Sequence, residues 1–332
     1  MPRWRPVPGL LLAVLFFGMT AAAWDAAFAQ AKLPARPIRL LVPFAPGGGV
    51  DVVARIVGQK ISEQTGQPVL VESKPGAGGA LAVNELMRAE PDGTTLLATT
   101  SSHATLPVLS KLPWHPTNDF TPIASIYSTM LVMPTNAATA SRFKTFTEFL
   151  AYARANPGKI NWGSSGIGGP QHLPGAQFAK VAKLDMVHVP YRGNAPMVQA
   201  LLQNDVQLTF DTPTLSLPHI AEGRLVALAV TGERRLAKLP DIPTVKESGI
   251  DYTADIRIFV IGPKGIPEPI QAALNKEFTT ALDNKEVRER LTGFGLDVAE
   301  ARENTPANLK RYIDNFASTY GKLIEEMGIK AE

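Results

Sequence analysis

Residues 38–51 read Ile38-Arg39-Leu40-Leu41-Val42-Pro43-Phe44-Ala45-Pro46-Gly47-Gly48-Gly49-Val50-Asp51, and this stretch decides the fold class. It opens as a short apolar β-type run. The prolines and glycines of residues 43–49 break that run into a loop. From Asp51 to Thr65 the apolar residues Val52, Val53, Ile56, Val57 and Ile61 recur at helical period, and Gly66 stops them. The unit is strand, glycine loop, helix. It repeats at once: Val69 to Glu72 is a strand, Lys74-Pro75-Gly76-Ala77-Gly78-Gly79 a loop, and a helix follows to about Ala89. Pro91-Asp92-Gly93 turns the chain into a third strand, Thr95 to Thr99. Such alternation predicts an α/β fold with a parallel sheet covered on both faces.

A second series begins after Thr135. A helix over residues 145–156 ends at Pro157-Gly158, and Ile160-Asn161-Trp162 leads into Gly163-Ser164-Ser165-Gly166-Ile167-Gly168-Gly169 and a helix to about Lys183. Strands follow at residues 186–191, 206–210 and 225–230, with a helix over 196–202 between the first two. Helices at about 267–283, 285–291 and 305–327 close the chain. Two α/β series without a linker predict two lobes that share crossover strands. Those strands are placed at Ile123 to Met133 and Asp255 to Gly262. Residues 32–126 with 260–332 then form the first lobe and 127–259 the second, with hinges near Ile126 and Ile258.

The N-terminus reads as a signal peptide over residues 1–29. Arg3 and Arg5 precede an apolar run from Gly9 to Thr20, and Ala27-Phe28-Ala29 presents small residues where a signal peptidase cuts. Cleavage would leave Gln30 first, or follow Ala31 in a shifted register. An uncleaved anchor is the alternative, disfavoured because the run is short for a span.

Composition narrows the function. The chain of 332 residues is 45% hydrophobic and 19% charged with a net charge of +3, which is globular, and its basic residues are not gathered into a nucleic-acid footprint. With no cysteine there is no disulfide, thiolate zinc site, thiol nucleophile or lipidated N-terminal Cys. The five histidines are scattered and include no H-x-x-x-H pair, so no metal or other cofactor is expected. Gly163-Ser164-Ser165-Gly166-Ile167 lacks the last glycine of a nucleophile elbow, and Gly76-Ala77-Gly78-Gly79-Ala80-Leu81 lacks that of a dinucleotide fingerprint.

What remains is three glycine-rich loops between a strand and a helix. In open α/β sheets ligands bind at the carboxyl ends of strands. The N–H groups that open a helix lack internal partners and favour an anion, and glycine lets the backbone come close. Each loop has a plainer reading as a tight turn: that reading is favoured for Gly76 to Gly79, evenly balanced for Gly47 to Asp51, and disfavoured for Ser164 to Gly169, where two hydroxyls accompany the glycines. The candidate ligand residues are Phe44, Ala45, Pro46, Gly47, Gly48 and Asp51 in the first loop, with Ser101 and His103 beside it. In the second lobe they are Ser164, Ser165, Gly166, Gly168, Gly169, Gln171, His172 and Tyr191. Asp211, at a strand end, either accepts a ligand hydrogen bond or caps the next turn. Trp114 and Trp162 read as packing.

An ordered set of segments resembles one family. It includes residues 37–44, Gly47-Gly48-Gly49-Val50-Asp51, Val71-Glu72-Ser73-Lys74-Pro75-Gly76-Ala77-Gly78-Gly79, Asp119-Phe120-Thr121-Pro122-Ile123-Ala124, His188-Val189-Pro190-Tyr191-Arg192-Gly193 and Leu239-Pro240-Asp241-Ile242-Pro243-Thr244-Val245. The chain is similar to the Bug-type (tripartite tricarboxylate transporter) substrate-binding proteins. The resemblance implies a two-lobed periplasmic binding protein of type II, a Venus flytrap. It would be a soluble monomer that binds a small organic carboxylate, aliphatic or aromatic, without chemistry and hands it to inner-membrane transporter subunits. It also implies that the loop around Phe44 to Gly49 meets the far end of the ligand while Ser164 to His172 anchors a carboxylate. Gly169-Pro170-Gln171 stands where the family usually has Ser or Thr, Val50 replaces a small polar residue, and the aromatic usual near Ile258 is missing. A membrane-docking sensor and a hydrolase are the competing readings; the hydrolase lacks a legible nucleophile and base.

Overall fold

The computed structural model describes residue 33, residues 35–143 and residues 145–330. The signal peptide and its cleavage site lie outside these. Eleven strands, numbered in chain order, form the described sheets. β1 (Ile38–Val42), β2 (Val69–Ser73), β3 (Thr95–Thr100), β4 (Phe120–Met130), β10 (Asp255–Pro263) and β11 (Asp297–Val298) make a six-stranded sheet in the order β11-β4-β10-β3-β1-β2. β1 pairs in parallel with β2 and β3, but β10 runs antiparallel to both β3 and β4. The sheet is therefore mixed rather than all parallel. The reversal comes from β10, which returns from the second lobe into the middle of the first.

Period-two alternation decides what this sheet buries. Leu40 and Val42 face helices Gly49–Thr65 and Glu268–Asp283 with Ile56, Val57 and Phe278. Leu41 points the other way, with Leu97 and Phe259, toward helices Ala80–Met87 and Pro306–Met327 with Leu86 and Ile313. Both faces are dry, as the apolar strands require.

The second body holds β6 (Asn161–Ser164), β7 (Val187–Pro190) and β8 (Leu208–Thr209), parallel in the order β7-β6-β8. Beside them lie β5 (Val132–Asn136) and β9 (Leu225–Val230), antiparallel to each other. A bridge between Val132 and Asp211 joins the two sets, each N–H donating to the other residue's carbonyl at 2.8 and 2.9 Å. The core here is aromatic: Phe149, Trp162, Phe178, Phe210 and Tyr252 pack with Leu131 and Met133. Sequence signals fix the helix ends. Thr145 accepts a hydrogen bond from the Glu148 N–H to open Phe146–Ala155, and Thr305 does the same for Pro306–Met327, which Gly328 closes in the left-handed conformation.

The chain passes between the bodies at Leu131, which follows β4, and again at Ala254, which precedes β10. Ile126 and Ile258, near which the hinges are expected, themselves lie deep in the six-stranded sheet, Ile258 opposite Thr100 and Tyr127. Both are fully sheltered core residues, so neither can act as a pivot. At the passage itself Thr231 Oγ1 accepts the Leu131 N–H at 2.8 Å and donates to the Ala254 carbonyl at 2.6 Å, while the Ala254 N–H donates to the Thr231 carbonyl at 2.9 Å.

Candidate functional site

The C-terminal ends of β1 and β3 on one side, and of β6 and β7 on the other, carry loops toward the space between the lobes. The two rims touch. Gly168 has φ +69, and a Cβ built on it would lie 2.1 Å from Leu109 Cδ1 of the first lobe. Leu173, just after the same loop, shares a core cluster with Leu106 and Leu109. Only glycine permits both that dihedral and that approach.

On the first rim, residues 43–48 lead into helix Gly49–Thr65, whose N-cap Gly48 supplies no side-chain hydrogen bond. The first-turn N–H groups therefore lack a cap. Phe44 rests partly buried against the first-lobe core, while Ala45, Pro46 and Gly47 are exposed. Asp51 is buried and its carboxylate is engaged within the protein. Its carboxylate accepts from the Gly47 N–H at 2.9 Å, from Arg55 at 2.9 and 3.0 Å, and from Ser73 Oγ at 2.9 Å. Burial pushes its proton affinity up, yet Arg55, the Gly47 N–H and Ser73 together hold the carboxyl below its ordinary value. Asp51 is the brace that shapes the loop. Residues 76–79 form a left-handed turn, with φ positive at Gly76, Ala77, Gly78 and Gly79, and Gly79 packs against Pro43.

Two candidates beside this rim turn away from the cleft. Ser101 is sheltered; its Oγ lies 2.6 Å from the Tyr312 hydroxyl and accepts the Arg257 N–H at 2.9 Å, tying β10 to the last helix. His103 is a core residue. Its ring stacks on Trp114 at 5.0 Å and meets Phe120 edge-on at 4.8 Å, with Nε2 3.0 Å from the Pro116 carbonyl. Burial lowers its pKa to about 4, so the ring is neutral.

On the second rim the loop after β6 is closed on itself. The Gly168 N–H donates to His172 Nδ1 at 2.8 Å, the Gly169 N–H to the Gly166 carbonyl at 3.1 Å, and the Gly166 N–H to Ser164 Oγ at 3.3 Å. The start of helix His172–Ala182 is occupied too. The N–H groups of His172 and Leu173 share the Gly169 carbonyl, Gly175 donates to the Gln171 carbonyl, and Pro174 has no N–H. The anchor expected along Ser165 to Gly169 thus keeps few free donors. Beneath the loop the His172 ring stacks on His188 at 4.0 Å and on Trp162 at 5.7 Å, and Ser164 Oγ lies 2.7 Å from His188 Nε2. Burial, then the neighbouring His188, brings His172 to about pKa 3, and burial brings His188 to about 4. Both rings are neutral supports. Trp162 is packing, as read, and so is Trp114.

The donors that sequence reading missed lie one loop further on. The Tyr191 N–H donates to the Ser164 carbonyl at 2.9 Å and the Gly193 N–H to the Ser165 carbonyl at 3.1 Å. These bonds prolong the β6–β7 ladder and set helix Asn194–Gln203 beside Ser165. Its N-cap, Gly193, offers no side-chain bond. The N–H groups of Asn194 and Ala195 meet no acceptor among the described residues. Helices beginning at Phe146, Lys285 and Pro306 are instead capped by Thr145, Asn284 and Thr305. The single glycine of Tyr191-Arg192-Gly193-Asn194 was the only signal for this donor site. Asp211, at the end of β8, is wholly buried; Oδ1 accepts the Thr212 N–H at 2.8 Å and Oδ2 has no partner among the described residues. Burial pushes this carboxyl up to about 7, against the Thr212 N–H.

Facing rims that offer backbone donors, with a neutral histidine pair behind one of them, suit a small anion held without a formal cation. Among the described residues no His, Cys, Asp or Glu cluster could hold a metal, and no helix is long and apolar enough to cross a membrane. Known proteins agree with the geometry. A protein in the gbd 5′ region of Cupriavidus necator is 36% identical over 327 residues, covering 97% of this chain and 96% of that protein. MatC from Rhodopseudomonas palustris, solved with bound malate, superposes with a TM-score of 0.78 at 30% identity, covering 88% of this chain and 99% of MatC. The periplasmic binding protein BugD gives a TM-score of 0.78 at 31% identity, covering 90% of this chain and all of BugD. BugD is a periplasmic binding protein and MatC holds malate; this chain shares their two-lobed fold. Residues 53–329 match the tripartite tricarboxylate transporter family receptor profile, and the chain belongs to that family of solute receptors.

Proposed function

We propose that this protein is a periplasmic receptor that captures a small organic carboxylate in the interlobe cleft and delivers it to a tripartite tricarboxylate-type membrane transporter. The observation that carries the reading is that two helix starts without a side-chain cap, Gly49 on one rim and Asn194 on the other, lie at adjoining ends of the two sheets. Each presents N–H groups and the positive end of a helix dipole. Malate in MatC supports the ligand class, and the family name supports the transporter.

In this reading residues up to Leu131, together with those from Asp255 onward, form the first lobe, and the segment between forms the second. The pivot is Leu131, Thr231 and Ala254. Ligand favours closure because only the closed form offers both rims together. The transporter then reads closure as loading. Asn194 and Ala195 meet the carboxylate beside Ser165, and residues 44–49 meet the other end of the ligand. A sensor that docks on a membrane signalling protein would use the same cleft, and no observation favours it.

A thermal-shift series with C4 to C6 carboxylates tests the binding. Ligand at 100 times its Kd adds about 2.7 kcal/mol of stability. A series with no shift at millimolar ligand would remove this ligand class. Export predicts that intact mass of the periplasmic protein begins at Gln30, and a full-length mass in the membrane fraction would contradict it.

A further inference from the structure

Gln171 is almost wholly buried, 1% exposed, beneath the second rim. Its amide is paired at both ends. The Ser165 hydroxyl donates to Gln171 Oε1, and Gln171 Nε2 donates to Asn194 Oδ1 at 2.8 Å. Ser165 and Asn194 themselves are half-buried at the rim, one in each of the two loops that the Gly193-to-Ser165 bond holds side by side.

The direction of this relay has a chemical consequence. A hydroxyl has one proton. With that proton on Gln171, Ser165 Oγ presents only lone pairs to the cleft. Asn194 Oδ1 is occupied by Gln171, so Asn194 presents its NH2. The rim therefore shows an acceptor beside a donor, rather than two donors. A bare carboxylate satisfies Asn194 but sets a lone pair against Ser165 Oγ. A carboxylate with a hydroxyl on the next carbon satisfies both: its oxygen accepts from Asn194 Nδ2 and its hydroxyl donates to Ser165 Oγ. An unmet polar group in a closed cleft is penalised more heavily than a made bond is rewarded.

We infer that Gln171 is a positioning residue that sets the second rim's polarity and makes the receptor selective for 2-hydroxycarboxylates over their deoxy counterparts. This inference rests on the receptor reading above and adds the discriminating group.

The experiment is calorimetric titration of the parent, Gln171→Met and Ser165→Ala with malate and with succinate. The parent binds malate about tenfold more tightly than succinate, the scale of one satisfied polar group. Gln171→Met keeps the side-chain volume but frees the Ser165 proton to turn outward. The malate-to-succinate ratio then falls to about one, largely through tighter succinate binding, which loss of structure does not produce. Ser165→Ala lowers malate affinity about tenfold more than it lowers succinate affinity. Unliganded thermal midpoints and far-ultraviolet circular dichroism show that the variants fold. Equal binding of the two acids by the parent, or a ratio unmoved in Gln171→Met, overturns the relay while leaving the receptor reading intact. Absence of binding by either acid overturns the hydroxy-acid selectivity, and the receptor reading falls with it only when the C4 to C6 series also gives no shift.

Discussion

Thr231→Val changes one atom of the pivot into a methyl group and leaves the shape of the side chain nearly intact. Thr231 and Leu131 are both fully buried, so water does not reach the groups that are stranded. The Leu131 N–H loses its acceptor and the Ala254 carbonyl loses its donor, bonds of 2.8 and 2.6 Å in the structure. Leaving a buried polar group unsatisfied costs about 1–3 kcal/mol, and the carbonyl retains a second lone pair, so the expected loss is roughly 2–4 kcal/mol. Valine makes no cavity, which separates this loss from a packing defect. Urea unfolding followed by tryptophan fluorescence measures it, with the midpoint falling and the slope unchanged. The same variant should alter the ligand-induced compaction seen by small-angle scattering if the proposed pivot is at the stitched residues. A loss below about 0.5 kcal/mol, or compaction identical to the parent, would refute the assignment of Thr231 as the pivot.

Two further substitutions probe the rims and the buried acid. Gly168→Ala forces a Cβ to within 2.1 Å of Leu109 Cδ1 at a φ of +69, so ligand affinity falls about tenfold or more as closure is blocked. Leu109→Ala in the same chain restores part of it, which calorimetry on the two variants checks. The buried Asp211 carboxyl, raised to about 7, binds its proton more tightly when folded than unfolded. Its contribution is therefore complete below the ordinary aspartate range near pH 4 and is lost as pH rises toward 7. Asp211→Asn removes that decline. The variant gains on the parent by roughly 2–4 kcal/mol between pH 4 and pH 8, read from urea midpoints at the two pH values, and a constant difference would show that Asp211 does not titrate there.

The fold was legible because its signals are local. Leu40-Leu41-Val42 with Pro43 and the glycines that follow, the helical period from Val52 to Ile61, and Gly66 each act within a few residues, and strand, loop and helix appeared where they were expected. The antiparallel course of β10 was not legible. Nothing in Ile258 to Ile261 encodes direction; a continuous apolar run buried on both faces reads the same either way. The exact place where a crossover could bend is hidden for a related reason. Ile126 and Ile258 lie in the crossover segments, but where the ladder ends depends on partners distant in the chain, such as Thr231, one hundred positions from the Leu131 whose N–H it accepts.

The site divides along the same line. Sequence identified the loops, since glycine after a strand is a local sign, but it could not say which N–H groups stay free. Gly168 and Gly169 were attractive as donors until His172 and the Gly166 carbonyl were found to accept from them. The free donors belong to Asn194 and Ala195, after a loop with one glycine. Binding capacity at a strand end is thus the remainder after internal hydrogen bonding, not the number of glycines, and that remainder is a tertiary quantity. His103 makes the converse point. Its position beside a cleft loop is correct, yet Trp114 and Phe120 enclose the ring, and a neutral imidazole in an aromatic cage contributes packing where its place in the chain had promised chemistry. The glycine-rich loops shape the cleft and let the two lobes meet at Gly168, while an unremarked turn of helix and a buried glutamine decide what the cleft holds.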